Sequence, residues 1–132
     1  MMRYMLDTNI VSDIVRNPRG MSAGQFRRIG QSNIGISIVV ASELRYGITR
    51  QSSALSRNIA EMLNRLLIVA FEEPADAHYG KIRAHLESVG KAIGYNDTFI
   101  AAHARALDCV LVTDNEREFS RVPGLNIENW LR

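Results

Sequence analysis

Four short segments of the chain set carboxylates at the edges of apolar runs, where buried acids are expensive unless something uses them. Asp7 closes the run Tyr4-Met5-Leu6 and is followed by Thr8-Asn9. Glu43 lies in Ser42-Glu-Leu-Arg-Tyr-Gly47, where helical spacing puts Val39, Val40, Glu43, Leu44 and Gly47 on one face. Asp97 follows Gly94-Tyr-Asn96; Asn96 reads as an N-cap, and Asp97 shares the inward face with Ile100, Ala101 and Ala104. A fourth group, Asp114, Asn115, Glu116 and Glu118, spills from the strand-like run Val110-Leu-Val-Thr113. Each site has an ordinary reading by itself. Asp7 caps a helix, Glu43 reaches the edge or pairs with an arginine, Asp97 complements a helix dipole, and the last group caps a short helix.

The set is more informative than its members. Carboxylates gathered within a few ångströms raise one another's pKa unless a cation neutralises them. An all-oxygen donor set points to a hard ion, Mg²⁺ or Mn²⁺, and no His-x-x-x-His or Cys-x-x-Cys spacing argues for zinc. Such a pocket suits phosphoryl chemistry, because the ion lowers the pKa of water and offsets charge on the phosphate.

The elements that must position these acids alternate. Strand-like runs cover Arg3 to Asp7, Ile34 to Ile38, Leu67 to Phe71, Val110 to Thr113 and, more weakly, Leu125 to Ile127. Helical windows fall at Ile10 to Val15, Gly20 to Gly30, Val39 to Gln51, Ser53 to Arg65, Glu73 to Val89 and Asn96 to Leu107. Glu72-Glu73-Pro74 predicts a helix start with proline in the first turn. Strands separated by helices predict an α/β fold with a parallel sheet covered on both faces, where ligands bind beyond the carboxyl ends of the strands. Asp7 sits at such an end.

Bulk composition sets the outer bounds. The chain has 132 residues, 46% hydrophobic and 23% charged, which is globular and sufficient for one core. Its single cysteine, Cys109, cannot form an internal disulfide and reads as a small buried hydrophobe. The longest apolar run, Leu66 to Phe71, is far too short to span a bilayer, and the first residues do not form a signal peptide, so the expectation is a cytoplasmic protein. The net charge of +2 is mild, yet of sixteen basic residues only Lys81 and Lys91 are lysines. Arginine's planar fork suits phosphate or carboxylate, and Arg16, Arg19, Arg27 and Arg28 fall close together.

Met5-Leu-Asp-Thr-Asn9, Ser42-Glu-Leu-Arg-Tyr-Gly47, Ile93-Gly-Tyr-Asn-Asp97 and Leu111-Val-Thr-Asp-Asn-Glu-Arg-Glu-Phe119 resemble, in order and spacing, the four acidic motifs of PIN-domain ribonucleases. More narrowly the chain is similar to the VapC toxins of bacterial type II toxin–antitoxin systems, through to the tail Val122-Pro-Gly-Leu-Asn-Ile-Glu-Asn-Trp130. The resemblance implies a three-layer α/β/α sandwich with a central parallel sheet, one PIN domain over residues 1–132. It implies a Mg²⁺- or Mn²⁺-dependent endoribonuclease, often acting on structured RNA such as tRNA. A metal-activated water would cleave the backbone to 5′-phosphate and 3′-hydroxyl ends. Asp7, Glu43 and Asp97 fall on the principal acids, with Asp7 and Asp97 the expected metal ligands. The fourth position departs from the wider family: Asn115 stands where Asp is frequent, so Asp114 or Glu118 would supply the missing charge. Thr8 and Thr113 are placed to orient these groups through their hydroxyls. The resemblance also implies a homodimer and a VapB-type antitoxin that forms a hetero-oligomer with the toxin and brings an Arg or Lys near the acids. The apolar stripe Leu55, Ile59, Met62, Leu63 and Leu66, within Ser53 to Leu67, is a candidate docking surface, though core packing explains it equally well.

Other chemistries fit less well. A phosphatase using Asp7 as covalent nucleophile wants a second acid two residues on, and that position holds Asn9. Imidazole acid/base cleavage needs two histidines on one phosphate, whereas His78, His85 and His103 read as surface or rim residues. No Gly-rich phosphate loop is present. Trp130 is expected to pack the tail onto the core, and packing is the default for Tyr46 and Tyr95, with RNA contact as the lesser reading. The non-enzymatic alternative is a catalytically weak PIN fold that binds RNA or a partner, with the site degenerate at Asn115.

Overall fold

Each central strand is short and largely buried, and the first two hand the chain to a helix within two residues. In the computed structural model, which describes residues 1–132, the elements run β1 (Tyr4–Leu6), α1 (Thr8–Arg16), α2 (Met21–Ile29), β2 (Ile34–Ser37), α3 (Ile38–Arg50), α4 (Ala54–Arg65), β3 (Leu67–Val69), α5 (Ala75–Ser88), α6 (Tyr95–Ala106), β4 (Val110–Val112), α7 (Glu116–Phe119) and β5 (Ile127–Glu128). The strands form one parallel sheet in the order β3-β2-β1-β4-β5. The registers pair Met5 with Gly35 on one side and with Leu111 on the other.

Strand order dictates the layers. From β1 the chain steps to β2 and then β3 in one direction, jumps back beyond β1 to β4, and continues to β5. Parallel crossovers are right-handed, so reversing direction moves the connecting helices to the other face. Helices α1 to α4 pack among themselves, α5 packs along α6, and the result is the expected α/β/α sandwich. The core is continuous from Met5, Leu6, Ile36 and Leu111 in the sheet to Ile10, Val40, Leu63, Ile82 and Ile100 in the helices. Gly35 is required by close approach: a Cβ there would meet the Met2 side chain and sit 3.0 Å from the Leu67 carbonyl oxygen. The sheet reverses its winding between β1 and β4, and the crevice beyond their carboxyl ends is the place where such folds hold ligands.

Helix starts differ in detail from the sequence expectation. Pro74 is the N-cap of α5, and the acid of the first turn is Asp76. Gly94 caps α6, so Asn96 lies inside the first turn with its side chain free to reach elsewhere. The stripe of α4 serves the core: Ile59, Met62, Leu63 and the following Leu66 are buried and Leu55 packs against them partly buried, which is the packing reading rather than the docking one. Trp130 is buried and stacks obliquely near Tyr4, with ring centroids 5.7 Å apart, which fastens the tail to the sheet. Cys109 is buried, as its place before β4 suggests. No helix is long and apolar enough to cross a membrane.

Candidate active site

Asp7 leaves β1 at the switch of the sheet and is only 4% exposed. It does two jobs at once. Its Oδ1 accepts from the Thr8 N–H at 2.8 Å, capping α1, while Oδ2 accepts from the Thr113 hydroxyl at 2.7 Å and from Asn9 Nδ2 at 3.2 Å. Burial pushes the Asp7 pKa up, and the hydrogen bonds, that from Thr113 foremost, pull it back toward the charged form. The ends of β1 and β4 are stitched by the same residues. Thr113 Oγ1 also accepts from the Asn115 N–H at 3.0 Å, and Asn9 Oδ1 accepts from the Asp114 N–H at 3.0 Å.

Glu43 projects from α3 into the same crevice, half-buried. Its Oε2 accepts from Asn96 Nδ2 at 3.4 Å. Burial raises its pKa, Asn96 opposes that, and the charge of Asp7 adds to the rise. Asp97, in the first turn of α6, is the most perturbed. Burial, the charge of Asp7, and the hydrogen bond and charge of Glu118, with Glu43 behind them, push its pKa to about 7. Four acids from four distant segments therefore share one field. No cation answers them: the two ion pairs of the chain are Arg83–Glu87 and Arg132–Glu116.

The fourth segment divides. Asp114 and Glu116 turn to the tail, each accepting from Asn129 Nδ2 at 3.0 Å, whereas Glu118 faces Asp97. Asn115 caps α7 through its backbone and leaves its side-chain amide without a bond inside the chain. No three Asp, Glu, His or Cys side chains stand close enough to grip one ion directly. The donor set instead fits a hard divalent ion held by one or two carboxylates with water between it and the rest, the usual state of Mg²⁺ in proteins. Oxygen-only chemistry, mutual repulsion and the missing cation all favour that fit.

Sequence reasoning missed the positioning amides. Asn9 and Asn96 hold Asp7 and Glu43, and their spacing beside the acids was the available signal. It also misplaced His103, which is 1% exposed, not at the rim. The Ser37 hydroxyl lies 2.7 Å from its Nδ1 and the ring meets the Ala70 carbonyl, so a neutral imidazole satisfies both partners and burial holds its pKa below the usual value. Nor do Tyr46 and Tyr95 pack inward: they are 66% and 63% exposed.

A parallel sheet that gathers uncompensated carboxylates at its switch point is suited to metal-assisted phosphoryl chemistry, the class to which phosphodiester-cleaving enzymes belong. Comparison with known proteins agrees. The PIN domain family model matches residues 4–125. Ribonuclease VapC2 of Haemophilus influenzae is 40% identical, covering 99% of this chain and all of that protein's length, 100%. The tRNA(fMet)-specific endonuclease VapC of Shigella flexneri is 37% identical over 98% of this chain and 99% of its own. The toxin chain in the crystal structure of VapBC2 from Rickettsia felis, bound to a DNA fragment from its promoter, superposes with a TM-score of 0.87 at 36% identity, covering 98% of this chain and 99% of that one. The chain belongs to the PIN-domain family, and within it to the VapC ribonucleases. It is a nuclease, of a family dependent on divalent metal.

Proposed function

We propose that this chain is a single PIN domain over residues 1–132, the cytoplasmic toxin of a type II toxin–antitoxin pair, and hydrolyses RNA phosphodiester bonds with Mg²⁺ or Mn²⁺. The observation that carries the reading is the gathering of Asp7, Glu43, Asp97 and Glu118 with no ion-pairing cation: the charge of Asp7 raises the pKa of Glu43, and Asp7, Glu118 and Glu43 together raise that of Asp97. Asp7 and Asp97 hold the ion. Asn115 contributes its side-chain oxygen, and Glu118 supplies the charge that Asn115 lacks. When bound, the ion supplies Lewis-acid activation of water and offsets charge on the phosphate. The residues do the rest. Thr113, Thr8 and Asn9 fix the rotamer of Asp7, with Oδ2 taken by two of the three bonds and Oδ1 by one. Glu43, tethered through Oε2 by Asn96, presents Oε1 to take a proton from the attacking water.

The named relatives suggest the substrate and partners. The Shigella protein is called a tRNA(fMet) endonuclease, and the Rickettsia structure is a VapBC complex on DNA. We assign this chain a tRNA substrate, a VapB-type antitoxin and a homodimeric toxin core on that basis. The test is cleavage of tRNA(fMet) and total bacterial RNA by the wild type, Asp7→Ala and Asp97→Ala, with Mg²⁺, Mn²⁺ or chelator. Both variants and the chelated wild type are expected to lose at least a hundredfold in rate while keeping their helical content. Undiminished cleavage in either variant sinks the mechanism. Calorimetric titration with Mn²⁺ separates an enzyme from a binding module, because only the former needs carboxylate-dependent metal affinity.

A further inference from the structure

Two of the acids, Glu43 and Asp97, line a depression of about 430 Å³ together with Gly94, Tyr95 and Asn96. It does not stand alone. Glu43 and Asn96 also wall a larger cavity of about 850 Å³ that contains Tyr46 and Arg50. Gly94 and Tyr95 also wall a smaller one, about 300 Å³, that contains Arg83. Three adjoining hollows therefore run across one face, with carboxylates in the middle and an exposed tyrosine on each side. Each tyrosine carries an arginine over its ring, Arg50 at 5.7 Å from the centroid of Tyr46 and Arg83 at 4.6 Å from that of Tyr95.

We propose that Tyr46 and Tyr95 are stacking platforms for the bases on the two sides of the cleaved phosphate. The inference rests on the reading of the acids as an RNA-cleaving centre. Apart from the arginine against it, each ring is left in water beside the crevice, and nucleobases are the flat apolar partners that an RNA backbone would bring to it. A duplex keeps its bases stacked inward and offers neither ring a face. Both outer hollows are large enough for a base.

The two arginines differ. Arg83 is held by Glu87 at 3.2 Å and by the Tyr79 hydroxyl at 3.2 Å, so its charge is answered and it braces the Tyr95 ring. Arg50 has no carboxylate partner. Its guanidinium is free to meet a backbone phosphate entering beside Tyr46.

The experiment uses the full chain with Asp97→Asn, which blocks cleavage and removes one repelling charge. Fluorescence anisotropy follows binding of a labelled 12-nucleotide single-stranded RNA, the same RNA annealed to its complement, and an abasic backbone of equal length. Tyr46→Ala and Tyr95→Ala are each expected to weaken single-strand binding about tenfold, with Tyr46→Phe and Tyr95→Phe within about twofold of the parent. The abasic ligand should bind all five proteins equally. Arg50→Gln should lower the slope of log affinity against log salt by about 0.7, while Arg83→Gln leaves it unchanged. Parent-like affinity in either alanine variant, duplex binding as tight as single-strand binding, or no binding by the parent overturns the proposal. Equal slope changes for the two arginine variants overturn the phosphate contact at Arg50. Cleavage of tRNA(fMet) by the wild type and its loss in Asp97→Asn are scored separately, so a failure of the nuclease reading is distinguished from a failure of stacking.

Discussion

A buried carboxylate is only as useful as the groups that hold it, and Thr113 is the clearest case. Its hydroxyl donates to Asp7 and accepts from the Asn115 backbone, joining the first and fourth acidic segments through one atom. Thr113→Val keeps the shape and removes the donor. It should lower kcat at least tenfold with KM little changed, and cost about 1–2 kcal/mol in urea unfolding. Thr113→Ser should restore most of both, and an unchanged kcat in the valine variant would remove Thr113 from the site. Asp97 makes the complementary case through pH. An acid raised from 3.8 to about 7 keeps its proton in the folded chain over a range where the unfolded chain has lost it. Stability from this group is therefore present at low pH and is lost as pH rises from about 4 to about 7. Measured in chelator, the difference in melting temperature between Asp97→Asn and wild type should grow across that window and level off above it. Solvent screening of this half-exposed group holds the gain to roughly 1 kcal/mol. A difference that shrinks with rising pH would contradict the geometry. The acids themselves were legible as a set, because four carboxylate-bearing segments fall at strand exits or on the inward faces of helices, although each alone has an ordinary capping or edge reading. His103 was not, since a histidine within a helical apolar face carries no mark of whether its partners are water or, as here, Ser37 and Ala70.

At the scale of elements, periodicity located every strand and the six longer helices, with ends shifted by a few residues. Those shifts come from capping that spacing alone does not settle. Asn96 is a good capping residue, yet Gly94 ends the loop, and Asn96 is turned instead to Glu43. The single turn Glu116–Phe119 and the 3-10 turn Gln31–Asn33 are too short for any period to appear. Ser37 shows what a cap is worth when it has a second duty. Its hydroxyl accepts from the Val39 N–H at 3.1 Å to start α3 and meets the buried His103 ring of α6 at 2.7 Å. Ser53 caps α4 in a more open place, accepting from the Ser56 N–H at 3.0 Å. Ser53→Ala should cost about 1 kcal/mol and Ser37→Ala about 2–3 kcal/mol, since the latter also strands a buried ring nitrogen. Equal losses in denaturant melts would show that the α3–α6 bond adds nothing to the cap.

The whole molecule sets a well-packed fold against a deliberately unfavourable patch. The sheet switch brings Asp7, Glu43, Asp97 and Glu118 together from segments far apart in the chain, and every crossover that does so also buries core, so the repulsion is held by packing elsewhere. A divalent ion that binds only where those acids meet must then stabilise the folded chain by mass action. At a hundred times its Kd that amounts to about 2.7 kcal/mol. Wild type and Arg50→Gln should both melt at higher temperature when Mn²⁺ replaces chelator, because Arg50 lies in the neighbouring hollow, outside the group of acids. Asp7→Ala should lose most of that shift, and Asp97→Asn a large part of it; in chelator Asp97→Asn melts no lower than wild type once the repulsion is relieved, whereas Asp7→Ala melts lower because it removes the α1 cap and strands the Thr113 hydroxyl. The ordering is what discriminates. If Mn²⁺ raised Asp7→Ala as far as wild type, the ion would be binding some other surface, and four acids at the mouth of the sheet would be a structural cost without a compensating ligand.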